Sequence, residues 1–349
     1  QGIDYAAENG ISLVIALDCG IKAVEKIDYA TGKDIDFIIC DHHRPGSEIP
    51  RASAVLDPKR PDCTYPYEEL SGCGIGYKLI QAFAKNRNID EKVLYKFLDL
   101  VTVSIASDIV PITGENRVLA FYGLKLINSN PRPGIEAVLQ SSGMKRVKAT
   151  SPDGETQIFS RQLNINDLVF LVGPRINAAG RIESGRNSVQ LLIADNMKDA
   201  QEIGIQIDSY NTERRTRDTQ TTSEAIEMIK NSQELLNSKS TIVYNPDWHK
   251  GVIGIVASRL TEVYYRPTIV FTNSNELICG SARSVKDFDI YDAIDACSDL
   301  LEHFGGHKYA AGLTLRPENL KKFEQRFEEI VRSTITEDMQ IPEVEIDSE

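Results

Sequence analysis

Apolar residues fall into two kinds of run along this chain. Unbroken blocks, ISLVIALD (11–18) and IDFIICD (35–41), read as buried parallel strands, with SAVLDP (53–58) as a third. Gly20 to Ala30 reads as a helix between the first two. Two strands joined by one helix form a right-handed βαβ unit and imply a parallel, wound sheet. Upstream, IDYAAENG reads as the tail of a helix stopped by Gly10. Gly72 to Lys85, Asp90 to Ser107 and Leu119 to Ile127 have helical period. Residues 142–166 are richer in polar and turn residues and predict a loop or ribbon insertion. From Met197 to Asn231 the chain is polar and free of proline, with Ile203, Ile207, Tyr210, Ala225, Ile226 and Ile229 as its apolar positions. That pattern predicts a long connector helix, with room for a break near Asn211. A second α/β segment follows: strands at STIVYN (240–245), PTIVFT (267–272), ELICGSAR and GLTLRP, a helix over GVIGIVASRLTEVY (251–264), and a closing helix from Leu320 to Ser333. The end, IPEVEIDSE, alternates like an incipient strand.

Composition narrows the class. A chain of 349 residues with 41% hydrophobic and 26% charged residues can build two or three cores. No apolar run approaches the roughly 18–20 residues of a membrane helix, and no segment reads as a signal peptide, so secretion is not expected. Cysteines 19, 40, 63, 73, 279 and 297 form no CxxC pair or metal-knuckle spacing, so they read as reduced thiols of a cytosolic protein. With 39 Lys+Arg against 51 Asp+Glu, the net charge of -12 argues against coating nucleic acid through overall charge. It leaves room for a local basic groove or a carboxylate-rich metal site.

The candidate chemistry sits where strands end. The first block ends at Asp18-Cys19-Gly20 and the second at Asp41-His42-His43; a third acid, Asp108, follows an apolar helix in Ser107-Asp108-Ile109-Val110-Pro111. Open parallel sheets bind ligands beyond the carboxyl ends of their strands. One strand-end Asp would ordinarily cap a turn or helix; two adjacent His after a second strand-end Asp point instead to a site. Asp and neutral His together suit Mn²⁺, Mg²⁺ or Zn²⁺ more than Ca²⁺. Further along, Arg175 and Arg181 lie six apart in a Gly/Ala-rich segment, a setting for bidentate phosphate contacts. Ser281 and Arg283 lie in GSARS, and Gly305-Gly306-His307 suggests a tight loop presenting N–H groups and an imidazole to an anion. Arg214, Arg215 and Arg217 on the connector fit either a solvated helix face or the wall of a groove. His249 beside Trp248 reads equally well as packing, and His303 as surface.

LDCG, CDHH and ASDIVP resemble motifs of the DHH phosphoesterase superfamily. Within it, the chain is similar to the RecJ family of single-stranded-DNA exonucleases, through GENRVLAFYGLKLI (114–127), GPRINAAGRI (173–182), WHKGVIGIVASRL (248–260), GSARS (280–284) and GGHKYAAGLTL (305–315), over about residues 3–335. The resemblance implies an α/β chain: a parallel-sheet DHH domain over 1–195, a connector helix over 196–235, a smaller α/β DHHA1 domain over 236–336, and a tail, 337–349, leading toward an OB-fold domain. It implies metal-dependent 5′-to-3′ hydrolysis of single-stranded DNA in recombination and repair, in the cytoplasm, with single-strand-binding protein and a RecQ-type helicase as partners and no membrane. By the same resemblance Asp18, His42 and Asp108 would be ligands of a two-metal Mn²⁺ or Mg²⁺ site, Asp18 bridging. His43 would lie against the scissile phosphate and Asp41 would orient a histidine. Arg175, Arg181, Ser281, Arg283, Gly305, Gly306 and His307 would hold substrate phosphates. Family members also carry a DxDxDG motif after their first strand, which nothing in residues 1–10 matches. The reading from sequence is therefore of a fragment that folds but is a poor or inactive nuclease. Two other readings stay open: an oligoribonucleotide or cyclic-dinucleotide phosphodiesterase of the same superfamily, and a non-catalytic DHH scaffold.

Overall fold

The computed structural model describes residues 1–151, 154–343 and 346. The chain divides into two compact units: Gln1–Asn177 with Gly185–Asp208, and Ala178–Ser184 with Ser209–Glu349. The long helix Met197–Lys230 runs from one into the other.

The first unit is built on a parallel sheet, β1 (Leu13–Leu17), β2 (Asp36–Cys40) and β3 (Ala54–Leu56), in that spatial order. Helices α1 (Gly2–Glu8) and α2 (Val24–Thr31) supply Ala6 and Ala30, which cluster with Ile35 against Val14 and Phe37. Helix α2 starts four residues later than its periodicity suggests, because Gly20, at φ +117, begins a turn before it. The main core lies among α3 (Gly72–Asn86), α4 (Leu98–Asp108) and α5 (Gly114–Ser129), where Ile75, Val101, Ile105 and Leu119 pack with Cys40 of β2. Helix α4 is buried on most sides, Asp99 and Thr102 included, which is why its apolar residues are not confined to one stripe. The expectation of a buried first strand does not hold: β1 is an edge strand, and Leu13, Ile15 and Leu17 are each about half exposed. Val14 packs with residues of α1 and α2, while on the other side Leu17 lies against Gly76 of α3 and stays half exposed, so a run that looks fully buried in sequence is partly open in space.

Gly123 sets how closely α4 and α5 approach. A Cβ there would overlap Thr102 Oγ1 and the Leu98 carbonyl. Gly123→Ala is expected to cost about 1–3 kcal/mol as overpacking, read as a lower urea midpoint. An unchanged midpoint would contradict this packing.

Residues 142–166 contain an antiparallel ribbon, β4 (Arg146–Ser151) with β5 (Gly154–Phe159); Pro152 and Asp153 lie outside the described residues. The long helix has no break at Asn211. That side chain is buried and its Oδ1 accepts from Arg214, so the polar position is satisfied within the helix. The helix ends at Lys230, and a separate short helix, Gln233–Asn237, follows.

The second unit is a five-stranded sheet in the order β6-β7-β8-β10-β9, formed by β6 (Thr241–Tyr244), β7 (Thr268–Ser274), β8 (Leu277–Arg283), β9 (Leu301–His307) and β10 (Ala310–Leu315). β6 and β7 pair in parallel and the rest antiparallel. Alternation along β7 sends Ile269 and Phe271 to one face, against Phe323 and Phe327 of the closing helix Leu320–Thr334. Val270 goes to the other, against Val256 and Leu260 of helix Ile253–Tyr264 and Ile229 of the long helix. Gly305, Gly306 and His307 lie in β9, not in a tight loop. The two glycines pair across β10 with Gly312 and Ala311, and a Cβ on Gly306 (φ +155) would overlap the Ala310 carbonyl. Gly306 thus permits close strand pairing, where the sequence suggested a loop. All six cysteines are free thiols. No helix of the described residues is long and apolar enough to cross a membrane. Of the alternating terminal segment, residues 344, 345 and 347–349 lie outside the described residues.

Candidate metal centre and basic cluster

At the carboxyl end of β1 the backbone turns sharply. Asp18 adopts φ +67, a conformation that Asp tolerates better than most residues, and its N–H donates to the Cys40 carbonyl at 2.8 Å. Its carboxylate lies beside the first residue of α3. A Cβ on Gly72 would overlap Asp18 Oδ1, so only glycine leaves room for the acid. The orphan N–H groups and positive dipole end of α3 favour a negative group there, and Ser71 caps the helix by accepting from Gly74 N at 3.2 Å.

β2 delivers Asp41, His42 and His43. Asp41 is buried and wholly engaged: Oδ2 accepts from Ile21 N at 2.9 Å, and Oδ1 from His42 N at 2.8 Å and His43 N at 3.2 Å, with His43 Nδ1 at 2.7 Å. Burial alone would raise its pKa, but these donors together lower it. Asp108 closes α4, and Ile109 beyond it takes the left-handed conformation, φ +54, that ends the helix.

These elements bring His42 Nε2 to 3.1 Å from Asp18 Oδ1 and 3.2 Å from Asp108 Oδ2. His42 is buried, whereas the Asp18 and Asp108 side chains are 62% and 45% exposed, so the cluster opens to solvent on the carboxylate side. Neither close contact is aligned as a hydrogen bond, and Nε2 has no hydrogen-bond partner. The distances suit a different arrangement: neighbouring ligands on one ion, each about 2.1 Å from it, stand about 3.0–3.4 Å apart. Donor atoms of Asp18, His42 and His43 also lie within 4.8 Å of one another. Oxygen and imidazole donors of this kind fit a divalent ion such as Mn²⁺ or Mg²⁺. Without one, the Asp18 carboxylate raises the His42 pKa, burial opposes it, and Asp108 adds to the rise.

Sequence reasoning missed a further acid at the same rim. Asp57 follows β3, one residue beyond the registered pair Cys40↔Leu56, and is 3% exposed. Its Oδ1 accepts from Lys59 N at 2.9 Å. Burial, then the charge of Asp41, raises its pKa. The strand-end rule that singles out Asp18 and Asp41 applies equally to LDP at 56–58.

The arginines divide between the units. Arg175, in the first, is committed to its own fold: Nε donates to Asp208 Oδ1 at 2.8 Å and Nη1 to the Leu171 carbonyl at 2.9 Å. In the second unit Arg283 is spanned by hydroxyls and backbone, donating to Ser258 Oγ at 3.1 Å, Ser281 Oγ at 3.2 Å and the Ala282 carbonyl at 2.7 Å, with no carboxylate partner among these. Burial, then the charge of Arg181, lowers its pKa. A Cβ on Gly254 would stand 3.0 Å from Ser281 Oγ and 3.2 Å from Arg283 Nη2, so the glycine makes space for the guanidinium. Arg181 Nη1 donates to the Gly251 carbonyl at 3.5 Å. Its side chain keeps surface open to solvent, although protein packed around the guanidinium lowers its pKa. Exposure decides whether a ligand can reach it. Nearby, the buried Asp218 takes Arg259 at 2.8 Å and Arg214 at 4.0 Å. The charges of Arg259, Arg214 and Arg181 all act on Asp218, and that of Arg181 on Arg283, a local excess of positive charge on a chain of net charge -12. Arg217 pairs with Glu213, and His249 Nδ1 accepts from Gly251 N at 3.1 Å as part of its own loop. Gly305 and Gly306 lie within β9, and His307 ends that strand at the Lys308-Tyr309 hairpin turn.

Comparison with known proteins gives a consistent family. Residues 2–105 match the model of the DHH family, N-terminal domain, and residues 237–333 that of the DHHA1 domain. The chain is 37% identical over 349 residues to the single-stranded-DNA-specific exonuclease RecJ of Bacillus subtilis, covering 99% of this chain and 42% of that protein. It is 33% identical to the Escherichia coli protein of the same name, covering 94% and 58%. The chain therefore spans about half the length of these curated relatives. Among solved structures, RecJ of Thermus thermophilus in complex with Mn²⁺ superposes with a TM-score of 0.81 at 24% identity, over 95% of this chain and 46% of that one, which is a likeness of fold.

Proposed function

The chain belongs to the RecJ family of the DHH/DHHA1 superfamily, and from that premise we propose that it is the core of a metal-dependent exonuclease. The reaction is 5′-to-3′ hydrolysis of phosphodiester bonds in single-stranded DNA, in recombination and repair. The observation that carries this reading is His42 Nε2 held at 3.1 and 3.2 Å from two carboxylates without hydrogen-bond alignment. Asp18, His42 and Asp108 would hold Mn²⁺ or Mg²⁺. Bound there, the ion would acidify a coordinated water and offset charge on the phosphate. A second ion would call for further carboxylates.

The protein's own groups do the positioning. Asp41 binds His43 Nδ1 and turns the opposite ring nitrogen away from itself, toward a phosphate oxygen. Its four donors keep it ionised, so the His43 ring stays in one tautomer. Gly72 and the start of α3 keep the Asp18 carboxylate in place. Arg283, Arg181 and Ser281 bind backbone phosphates, with Arg175 and the Gly305-Gly306-His307 strand end as further contacts. Single-strand-binding protein and a RecQ-type helicase are the proposed partners, and the cytoplasm the compartment.

Gly72→Ala is expected to displace Asp18 and weaken Mn²⁺ binding about tenfold or more, since a shifted ligand loses much of one coordinate bond. An unchanged isotherm would show that Asp18 is not a ligand. The function itself is tested by Mn²⁺-dependent nucleotide release from 5′-phosphorylated single-stranded DNA and from duplex, with the wild-type chain and with Asp18→Ala. Weak release from single strands only, lost in Asp18→Ala, is expected of a chain without a match to the DxDxDG motif. Equal attack on duplex, or activity that survives Asp18→Ala, would refute the proposal.

A further inference from the structure

Each histidine of the Asp-His-His cluster has two ring nitrogens to satisfy. For His43 the account closes at Nδ1, which meets Asp41 at 2.7 Å. For His42 it does not: the residue is 7% exposed, and buried Nδ1 has no hydrogen-bond partner. Asp41 cannot serve, because both its oxygens already accept from Ile21, His42 and His43 backbone N–H groups and the His43 ring. One acceptor at the same rim is similarly unmatched. Asp57 Oδ2 is buried and partnerless, although Oδ1 of the same carboxylate is bound by Lys59 N. The strand register places the two residues on neighbouring strand ends: Cys40 pairs with Leu56, and Asp41 N continues the ladder to the Leu56 carbonyl at 3.0 Å. Two unmatched buried polar groups of complementary sense, one donor and one acceptor, are costly apart and satisfied together.

We infer that Asp57 is the positioning residue of His42: its Oδ2 accepts from Nδ1–H, directly or through one buried water, and so presents the Nε2 lone pair between Asp18 and Asp108. Metal-binding histidines commonly donate their second N–H to a carboxylate in this way. The inference rests on the metal-site reading above and assigns a residue to it that the family motifs in this sequence do not mark.

The test joins Mn²⁺ titrations, followed by the paramagnetic resonance of the free ion, with ¹⁵N spectra of the His42 ring in the metal-free wild-type chain above the ring's pKa. Asp57→Ala is expected to raise the Mn²⁺ dissociation constant about 10–100-fold. Asp57→Asn, which keeps an acceptor oxygen, is expected to stay within about threefold. The wild-type ring is expected as the Nδ1–H tautomer, a readout that needs neither a variant nor metal. Unchanged affinity in a folded Asp57→Ala chain, or an Nε2–H tautomer in the wild type, would overturn the inference. Equal losses in Asp57→Ala and Asp57→Asn would also overturn it, by making Asp57 a ligand in its own right. Failure of the wild type to bind Mn²⁺ would sink the metal-site reading instead, and the tautomer would still decide the role of Asp57.

Discussion

His42→Ala is expected to reduce Mn²⁺-dependent nucleotide release on the order of 10³-fold or more, about 4 kcal/mol of transition-state stabilisation. The size follows from position. His42 is the one buried member of the cluster and stands between both carboxylates, so its loss leaves Asp18 and Asp108 facing each other with nothing to centre an ion. Global stability should change far less, because the main core of Ile75, Val101, Ile105 and Leu119 does not include the ring. A variant that keeps activity within about tenfold would show that the imidazole is not a ligand. The same residue sets a pH dependence. In the metal-free chain the His42 pKa is raised above its ordinary value of 6.5. A raised imidazole pKa stabilises the metal-free fold below about pH 6.5, and that contribution is lost as pH rises through the folded pKa. Metal needs the opposite state, a neutral ring. Mn²⁺ affinity of the unsubstituted chain should therefore fall with falling pH, starting above pH 6.5; an affinity flat across this range would show that His42 does not bind the ion.

Arg283→Ala is expected to weaken single-stranded-DNA binding about tenfold, the scale of one charge-assisted contact. The slope of log affinity against log salt should lose about 0.7, one phosphate's share. Arg283 is suited to this because its contacts are hydroxyls and a carbonyl, which leave its charge uncompensated. Arg175 makes the contrast: Asp208 and the Leu171 carbonyl already take Nε and Nη1. Arg175→Ala should therefore cost stability and change the salt slope less than Arg283→Ala does. Binding titrations over a salt series separate the two. Identical slopes for Arg283→Ala and wild type would remove Arg283 from the interface.

Much of this was legible in the sequence because strand-end acids announce themselves. Asp18 and Asp41-His42-His43 follow apolar blocks whose ends a parallel sheet must align. Asp108 was legible only through its motif, since it is positioned by the end of α4 rather than by a strand. Asp57 was overlooked although it obeys the strand-end rule, because β3 is three residues long and the following proline reads as a turn. The β9 strand was hidden because Gly305 and Gly306 look like a loop, yet both pair with β10, and at Gly306 the close approach itself requires glycine. Pairings such as Arg175 with Asp208, or Arg259 with Asp218, join residues tens of positions apart and leave no local trace. That is why an arginine motif in sequence does not reveal which guanidinium keeps its charge available. The half-exposed β1 was misjudged because hydrophobicity alone does not say how many faces of a strand are covered.

The central claim, that Asp18, His42 and Asp108 form one divalent-metal centre, is tested most directly by anomalous diffraction from crystals of this chain grown with Mn²⁺. The account predicts a manganese peak about 2.0–2.3 Å from Asp18 Oδ1, His42 Nε2 and Asp108 Oδ2. A chain that binds Mn²⁺ elsewhere, or shows no peak at this cluster at millimolar Mn²⁺, would contradict it.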